Sequence, residues 1–189
     1  MVSYVPAMDA KPNLQLLSQS LGFGKVAPQP LARLKFSLFP AGLPLGAITH
    51  WSGQGRTQAL CRLLAEHPEL KAGWVEETLS AYPPGLAQAG VRLENLLFVQ
   101  AGGQTAWALA QLLRSQVFGV VIAASPLRGE LELRRLQLAA ERAGAALCCL
   151  AAVEGPAWPV KLWLECSNQR GKLSLRALEA STRKRMALA

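Results

Sequence analysis

The sequence predicts an α/β protein with a mostly parallel central sheet, helices on both faces and an antiparallel C-terminal hairpin at one edge. Three observations predict it. Short apolar runs alternate with segments of helical spacing between residues 46 and 151, the order of βαβ units. Runs such as VFGVVIAA are continuously apolar, as strands covered on both faces should be. The 189 residues are 51% hydrophobic and 17% charged, enough to bury a core and too apolar for a disordered chain.

Residues 1–35 read as an N-terminal arm. It carries Pro6, Pro12, Pro28 and Pro30, and a short amphipathic helix is predicted over Leu14–Leu21. Gly42–Pro44 is read as a turn and Gly46–Trp51 as the first strand, bounded beyond by Gly53 and Gly55. Leu60, Leu63 and Leu64 give Thr57–Glu66 helical spacing. Ala72–Val75 is a short strand, Pro83–Ala89 a turn or short helix, and Asn95–Gln100 a strand. Thr105–Arg114 is a helix with Trp107, Leu109 and Leu113 as its apolar residues. Val117–Ala124 is a buried strand, Leu127–Ala143 the longest helix, and Ala145–Ala151 another buried strand. Val160–Glu165 and Lys172–Arg176 form the hairpin, with SNQRG at its tip. These elements place the core at 36–178 and leave 179–189 as a basic tail.

Composition excludes several chemistries. The chain has eleven Glu but a single Asp, Asp9, in the N-terminal arm. No core Asp is therefore available to hold Mg²⁺, orient a histidine or form a carboxylate pair. The cysteines are Cys61, Cys148, Cys149 and Cys166, with no CxxC pair, and the only histidines are His50 and His67. A structural zinc site needs four such ligands, commonly in two close pairs. Adjacent Cys148 and Cys149 point to opposite faces of a strand. All four read as buried thiols in a reducing compartment, and no metal or cofactor is expected. No basic-then-apolar leader opens the chain, and no run reaches the ~18 apolar residues of a membrane span. A soluble, cytoplasmic protein with no membrane partner is expected.

A strand, a glycine-containing loop and a helix that begins at threonine form the setting of a phosphate-binding loop. Such a loop needs G-x-x-x-x-G-K-[ST]. Its backbone N–H groups wrap a phosphate, its lysine reaches the outer phosphates, and its hydroxyl holds Mg²⁺. Here the stretch is Ser52-Gly53-Gln54-Gly55-Arg56-Thr57. The second glycine and Thr57 fit, Arg56 stands for the lysine, and one residue separates Gly53 from Gly55. The strand that should end in a metal-orienting acid ends in Ala123-Ala124-Ser125. A degenerate loop of Gly53, Gly55, Arg56 and Thr57 without catalytic residues is the reading, because positioning and metal are nearly all of phosphoryl-transfer catalysis.

Three stretches carry a family resemblance. GLPLGAITHWSGQGRT resembles the opening of the RecA core. GWVEETLSAYPPGLAQAGVRLENLLFVQ resembles the next RecA segment, where a strand ends in a catalytic Glu; Glu76 or Glu77 falls at that place. ELELRRLQLAAERAGAALCCL is most similar to the ImuA family, an ATPase-defective relative of RecA, and the resemblance spans about residues 40–166. It implies a RecA-like fold and a non-catalytic adaptor in SOS-induced translesion DNA synthesis. The partners it implies are an ImuB-like, Y-family polymerase homologue and RecA itself. The SulA cell-division inhibitors are also similar, which implies as the alternative an inhibitor of the tubulin-like division GTPase. The degenerate loop and basic tail favour the adaptor; a divergent ATPase is disfavoured by the missing lysine and aspartate.

The net charge of +8 is uneven. Arg170, Lys172, Arg176, Arg183, Lys184 and Arg185 face Glu179 alone in the last 20 residues, a net +5. Such a tail supports weak, non-specific contact with a phosphate backbone, or partner contact, or serves only solubility. Arg128, Arg134, Arg135 and Arg142 on the long helix read first as the charged face of an amphipathic helix. Trp158 and Trp163 at the last hairpin are candidate interface anchors, with core packing as the plainer reading for these and for Trp51, Trp74 and Trp107. Partner contact is expected at one of the two ends, the C-terminal one first.

Overall fold

The computed structural model describes residues 31–127, 129–151 and 159–178. The Leu14–Leu21 helix, Arg128, Trp158 and the cations Arg183, Lys184 and Arg185 lie outside the described residues.

Two strands open the described chain, β1 (Arg33–Phe36) and β2 (Phe39–Pro44), paired antiparallel as a sheet of their own. Neither is expected from the sequence. Residues 33–35 thus belong to a hairpin rather than to an arm, and Gly42–Pro44 is strand rather than turn. The hairpin sends Phe36 and Leu43 into the core, where the Phe36 ring stacks on Trp51 at 6.3 Å. Glu66 ties it down by accepting from the Ser37 backbone N–H at 2.7 Å and from the Ser37 hydroxyl.

The remaining strands form one seven-stranded sheet. They are β3 (Ala47–Gly53), β4 (Ala72–Glu76), β5 (Leu96–Gln100), β6 (Val120–Ala123), β7 (Ala146–Cys149), β8 (Leu162–Gln169) and β9 (Lys172–Ala177), in the order β5-β4-β6-β7-β3-β8-β9. Every neighbouring pair is parallel except β8–β9. The terminal hairpin therefore adds one antiparallel strand, not two, because β8 runs parallel to β3. Its strands are longer than expected and leave only Arg170-Gly171 as the tip, with Arg170 at φ 52°.

Four helices flank this sheet among the described residues: α1 (Arg56–Glu66), α2 (Pro83–Gln88), α3 (Thr105–Arg114) and α4 (Glu130–Ala143). The two faces build separate cores. Trp51, Trp74, Ile122 and Cys148 pack with Leu60, Leu63 and Leu64 of α1 and Leu86 of α2. Ile48, Val75, Val121 and Leu147 pack with Leu109 and Leu113 of α3 and Leu133 and Leu136 of α4. The period-two alternation of β3, β4, β6 and β7 serves both cores at once.

The four cysteines are free and buried, with Cys148 and Cys149 split between the two cores as their adjacency requires. Burial pushes the Cys61 and Cys148 thiols up to about 11 and Cys166 to about 12, and raises Cys149 as well. A thiol needs access and thiolate character to react. Native protein at pH 8 is expected to release no thionitrobenzoate from Ellman's reagent, and guanidinium-unfolded protein four equivalents; a native equivalent would show a core that opens readily.

Candidate functional site

The site is built where β3 ends and α1 begins. Only Gln54 and Gly55 separate Gly53, the last residue of β3, from Arg56, the first of α1. Gly53 and Gly55 hold φ values of 82° and 91°, in the left-handed region that favours glycine. Close approach adds to this demand. A Cβ on Gly53 would stand 2.2 Å from the Cys166 carbonyl oxygen, and one on Gly55 2.8 Å from Leu173 Cδ1. The loop is thus pressed against the β8–β9 hairpin, with Gly53 in register with Cys166.

Arg56 folds back over the loop and donates from Nη1 to the Gly53 carbonyl at 3.3 Å. No side chain caps α1, whose N-cap is Gly55. Arg56, Thr57, Gln58, Asn168 and Arg170 line an open cleft of about 680 Å³ beside the loop. Asn168 Nδ2 donates to Gln58 Oε1 at 2.6 Å and so fastens the hairpin tip to the helix start. Two guanidinium groups and a helix N-terminus give this cleft a positive field. No carboxylate is among its lining residues, and among the described residues no group of three or more His, Cys, Asp or Glu is placed to hold a metal.

The strand expected to end in a metal-orienting acid ends in Ala123-Ala124-Ser125, and the Ser125 hydroxyl accepts from the Glu77 N–H at 2.6 Å. Glu76 and Glu77 part company here. Glu76 is 4% exposed. It accepts from Trp74 Nε1 at 2.9 Å, from the Ser80 N–H at 2.5 Å and from the Ala81 N–H at 3.2 Å. Burial pushes its carboxyl up, but these bonds together outweigh burial and hold it below the usual carboxylate range. Glu76 is thereby committed to structure, anchoring the chain beyond β4. Glu77 is exposed and lines a separate cleft with Gly102, Thr105, Pro126 and Glu132.

The depressed Glu76 carboxyl sets a direction for stability against pH. A group with a folded pKa below its unfolded one stabilises fully above the unfolded value, about 4.3 for Glu. That contribution is lost as pH falls through the folded value. Glu76→Gln places an amide NH₂ against a backbone donor. It is expected to cost about 1–3 kcal/mol at pH 7 and to flatten the loss of stability between neutral and acid pH, measured by urea unfolding. An unchanged pH profile would show that Glu76 does not carry this dependence.

Among the described residues, the others singled out from sequence do not gather into one surface. Arg170 meets the loop cleft, a contact no local pattern announces. Lys172 is exposed on β9, and Arg176 is engaged by Glu165 across the hairpin at 2.6 Å. Trp163 is 4% exposed and sits 4.4 Å from the His50 ring, so it is a core residue and not a surface anchor. Burial first, opposed by the Ala151 backbone and aided by the Arg56 charge, holds His50 below the usual histidine range. Trp51 and Trp74 are buried as expected, but Trp107 is 61% exposed and departs from the core reading.

No family model matches this chain, and no curated protein matches it. Among solved structures, SulA from Pseudomonas aeruginosa is similar, with 18% identity and a TM-score of 0.45. The match covers 54% of this chain and 98% of that one.

Proposed function

We propose that this chain is a non-catalytic, RecA-like adaptor of the ImuA kind. In this reading it works in SOS-induced translesion synthesis and docks an ImuB-like polymerase homologue, with RecA as a second partner and DNA touched only weakly. The observation that carries the reading is the two-residue loop between Gly53 and Arg56. A phosphate cradle needs several successive N–H groups converging on one point and a lysine reaching the outer phosphates. Here Gly53 is packed against the Cys166 carbonyl and Arg56 turns back onto the loop. The strand that would end in a metal-binding acid ends in Ala123-Ala124-Ser125, and the Ser125 hydroxyl accepts from the Glu77 N–H just beyond β4. With nucleotide chemistry set aside, partner binding is what the fold offers.

The test joins nucleotide and partner in one experiment. Tagged full chain is incubated with an ImuB-like polymerase homologue, with and without ATP and Mg²⁺, and phosphate release is followed in parallel. Capture of equal extent in both arms, with no phosphate above background, is expected. Turnover, or capture that requires ATP, overturns the adaptor reading in favour of an ATPase. A parallel incubation with a tubulin-like division GTPase is the second arm; capture of that GTPase and not of the polymerase homologue replaces the adaptor with the inhibitor.

A further inference from the structure

The outer face of α3 and α4 is apolar where a free-standing surface would be polar. Trp107 is 61% exposed, Leu131 62% and Leu138 47%. Residues 131, 135, 138 and 142 follow one another at spacings of four, three and four, a single stripe along α4. Residues 107, 111 and 114 do the same on α3. Both helices begin beyond the same edge of the sheet, where β5 and β6 end, and they pack side by side. Thr105 and Ala106 at the head of α3 share a cleft with Glu132, and Arg114 at its foot shares one with Leu138. The lower half of this face is a shallow cleft of about 230 Å³ lined by Arg114, Arg135, Leu138 and Arg142.

The charges on the face are sorted. Among the described residues, Arg114, Arg135 and Arg142 have no hydrogen-bond or ion-pair partner. The nearby acids turn elsewhere. Glu132 lines the cleft that holds Glu77, and Glu141 accepts from Gln137 Nε2 at 2.8 Å on the flank toward the sheet. What remains is an indole and two leucines bordered by three uncompensated guanidinium groups. The last turns of two helices favour cations in any case, but that does not account for an indole and two leucines left in water beside them.

We propose that this face docks an acidic amphipathic helix of a partner protein, with apolar residues at i, i+3, i+4 and i+7 and Asp or Glu along its flanks. Charge selects this occupant over the others. Residues 1–30 hold Lys11 and Lys25 against Asp9, and 179–189 hold Arg183, Lys184 and Arg185 against Glu179. Both segments of the chain are thus net positive and ill-suited to a basic face. A second copy would bring the same guanidinium groups against these. For nucleic acid, the exposed indole and leucines offer nothing to a phosphate backbone. The surface goes beyond the adaptor reading and does not depend on which protein supplies the helix.

The test uses the full chain and a fluorescein-labelled, 18-residue helical peptide of Leu and Glu in that pattern. Its twin carries Lys for Glu, and single-stranded and duplex DNA serve as competitors. The acidic peptide is expected to raise anisotropy in a salt-sensitive way and to shift tryptophan emission to the blue. Trp107→Ala should weaken binding roughly tenfold or more, as loss of a central indole anchor does. The double variant Arg135→Glu, Arg142→Glu should reverse the preference from the acidic to the basic peptide. Both variants replace exposed residues, and circular dichroism melting checks that they fold. Equal binding of the two peptides, binding of neither, or undiminished binding to Trp107→Ala overturns the proposal. Displacement by DNA that is itself lost in the same variants makes the face a nucleic-acid surface instead.

Discussion

Gly53→Ala is expected to lower stability by roughly 3–4 kcal/mol, through both backbone strain and a clash that cannot relax cheaply. The new methyl group would stand 2.2 Å from the Cys166 carbonyl oxygen. That oxygen belongs to β8, held between β3 and β9, so two strands must part for the clash to clear. The φ of 82° adds strain that no rotamer relieves. For a chain of this size the shift in Tm is about 10 °C. Gly103→Ala is the control, because nothing lies within 4 Å of the place its methyl group would take and its φ is not positive. A Gly53→Ala protein as stable as the control would mean that β8 is not seated on β3 as described.

Gln137→Leu is expected to cost about 2–4 kcal/mol although it keeps the side chain's volume, because it strands buried polar groups. Gln137 is 5% exposed. Its Oε1 accepts from the Ile48 N–H at 3.0 Å, and its Nε2 donates to the Gly46 carbonyl at 3.1 Å. The Gly46 carbonyl lies just before β3 and the Ile48 N–H on its second residue, before β8 begins to pair with it at Thr49. The amide of α4 thus stands in for a missing ladder partner. Leu138→Gln, one residue along and exposed, should fall within about 0.5 kcal/mol of the parent. Urea unfolding of the two variants distinguishes them, and equal midpoints would show that water serves Ile48 and Gly46 as well as Gln137 does.

What local pattern can encode is legible in the sequence, and what distant segments impose is not. Strands β3 to β7 and helices α1, α3 and α4 can be placed because apolar period and glycine punctuation are local signals. The β1–β2 hairpin escapes such a reading because Pro40, Gly42 and Pro44 look like turn, while the strand is short, at the rim and stabilised by Trp51 and Glu66. Residue type alone assigns Trp107 to the core. Its phase argues otherwise, since it lies two positions and about 200° from Leu109 around the helix. The Gly53–Thr57 loop is legible as a strand–glycine–helix junction. That Asn168 and Arg170 close its cleft is not, because the hairpin tip arrives from 110 residues away. The choice between Glu76 and Glu77 needs the bonds from Trp74, Ser80 and Ala81, which only the fold brings together.

The brevity of the Gly53–Arg56 junction also limits how this chain can change. Arg56→Lys would supply the missing amine but no path length, since β3 ends against Cys166 and α1 starts two residues later. More N–H donors require inserted residues, and an insertion has to push aside Asn168 and Leu173, which already lie against Gly55. Single exchanges therefore add no N–H donors to this junction. Drift by substitution leaves the junction its two-residue length, whereas the exposed outer faces of the helices can change one residue at a time.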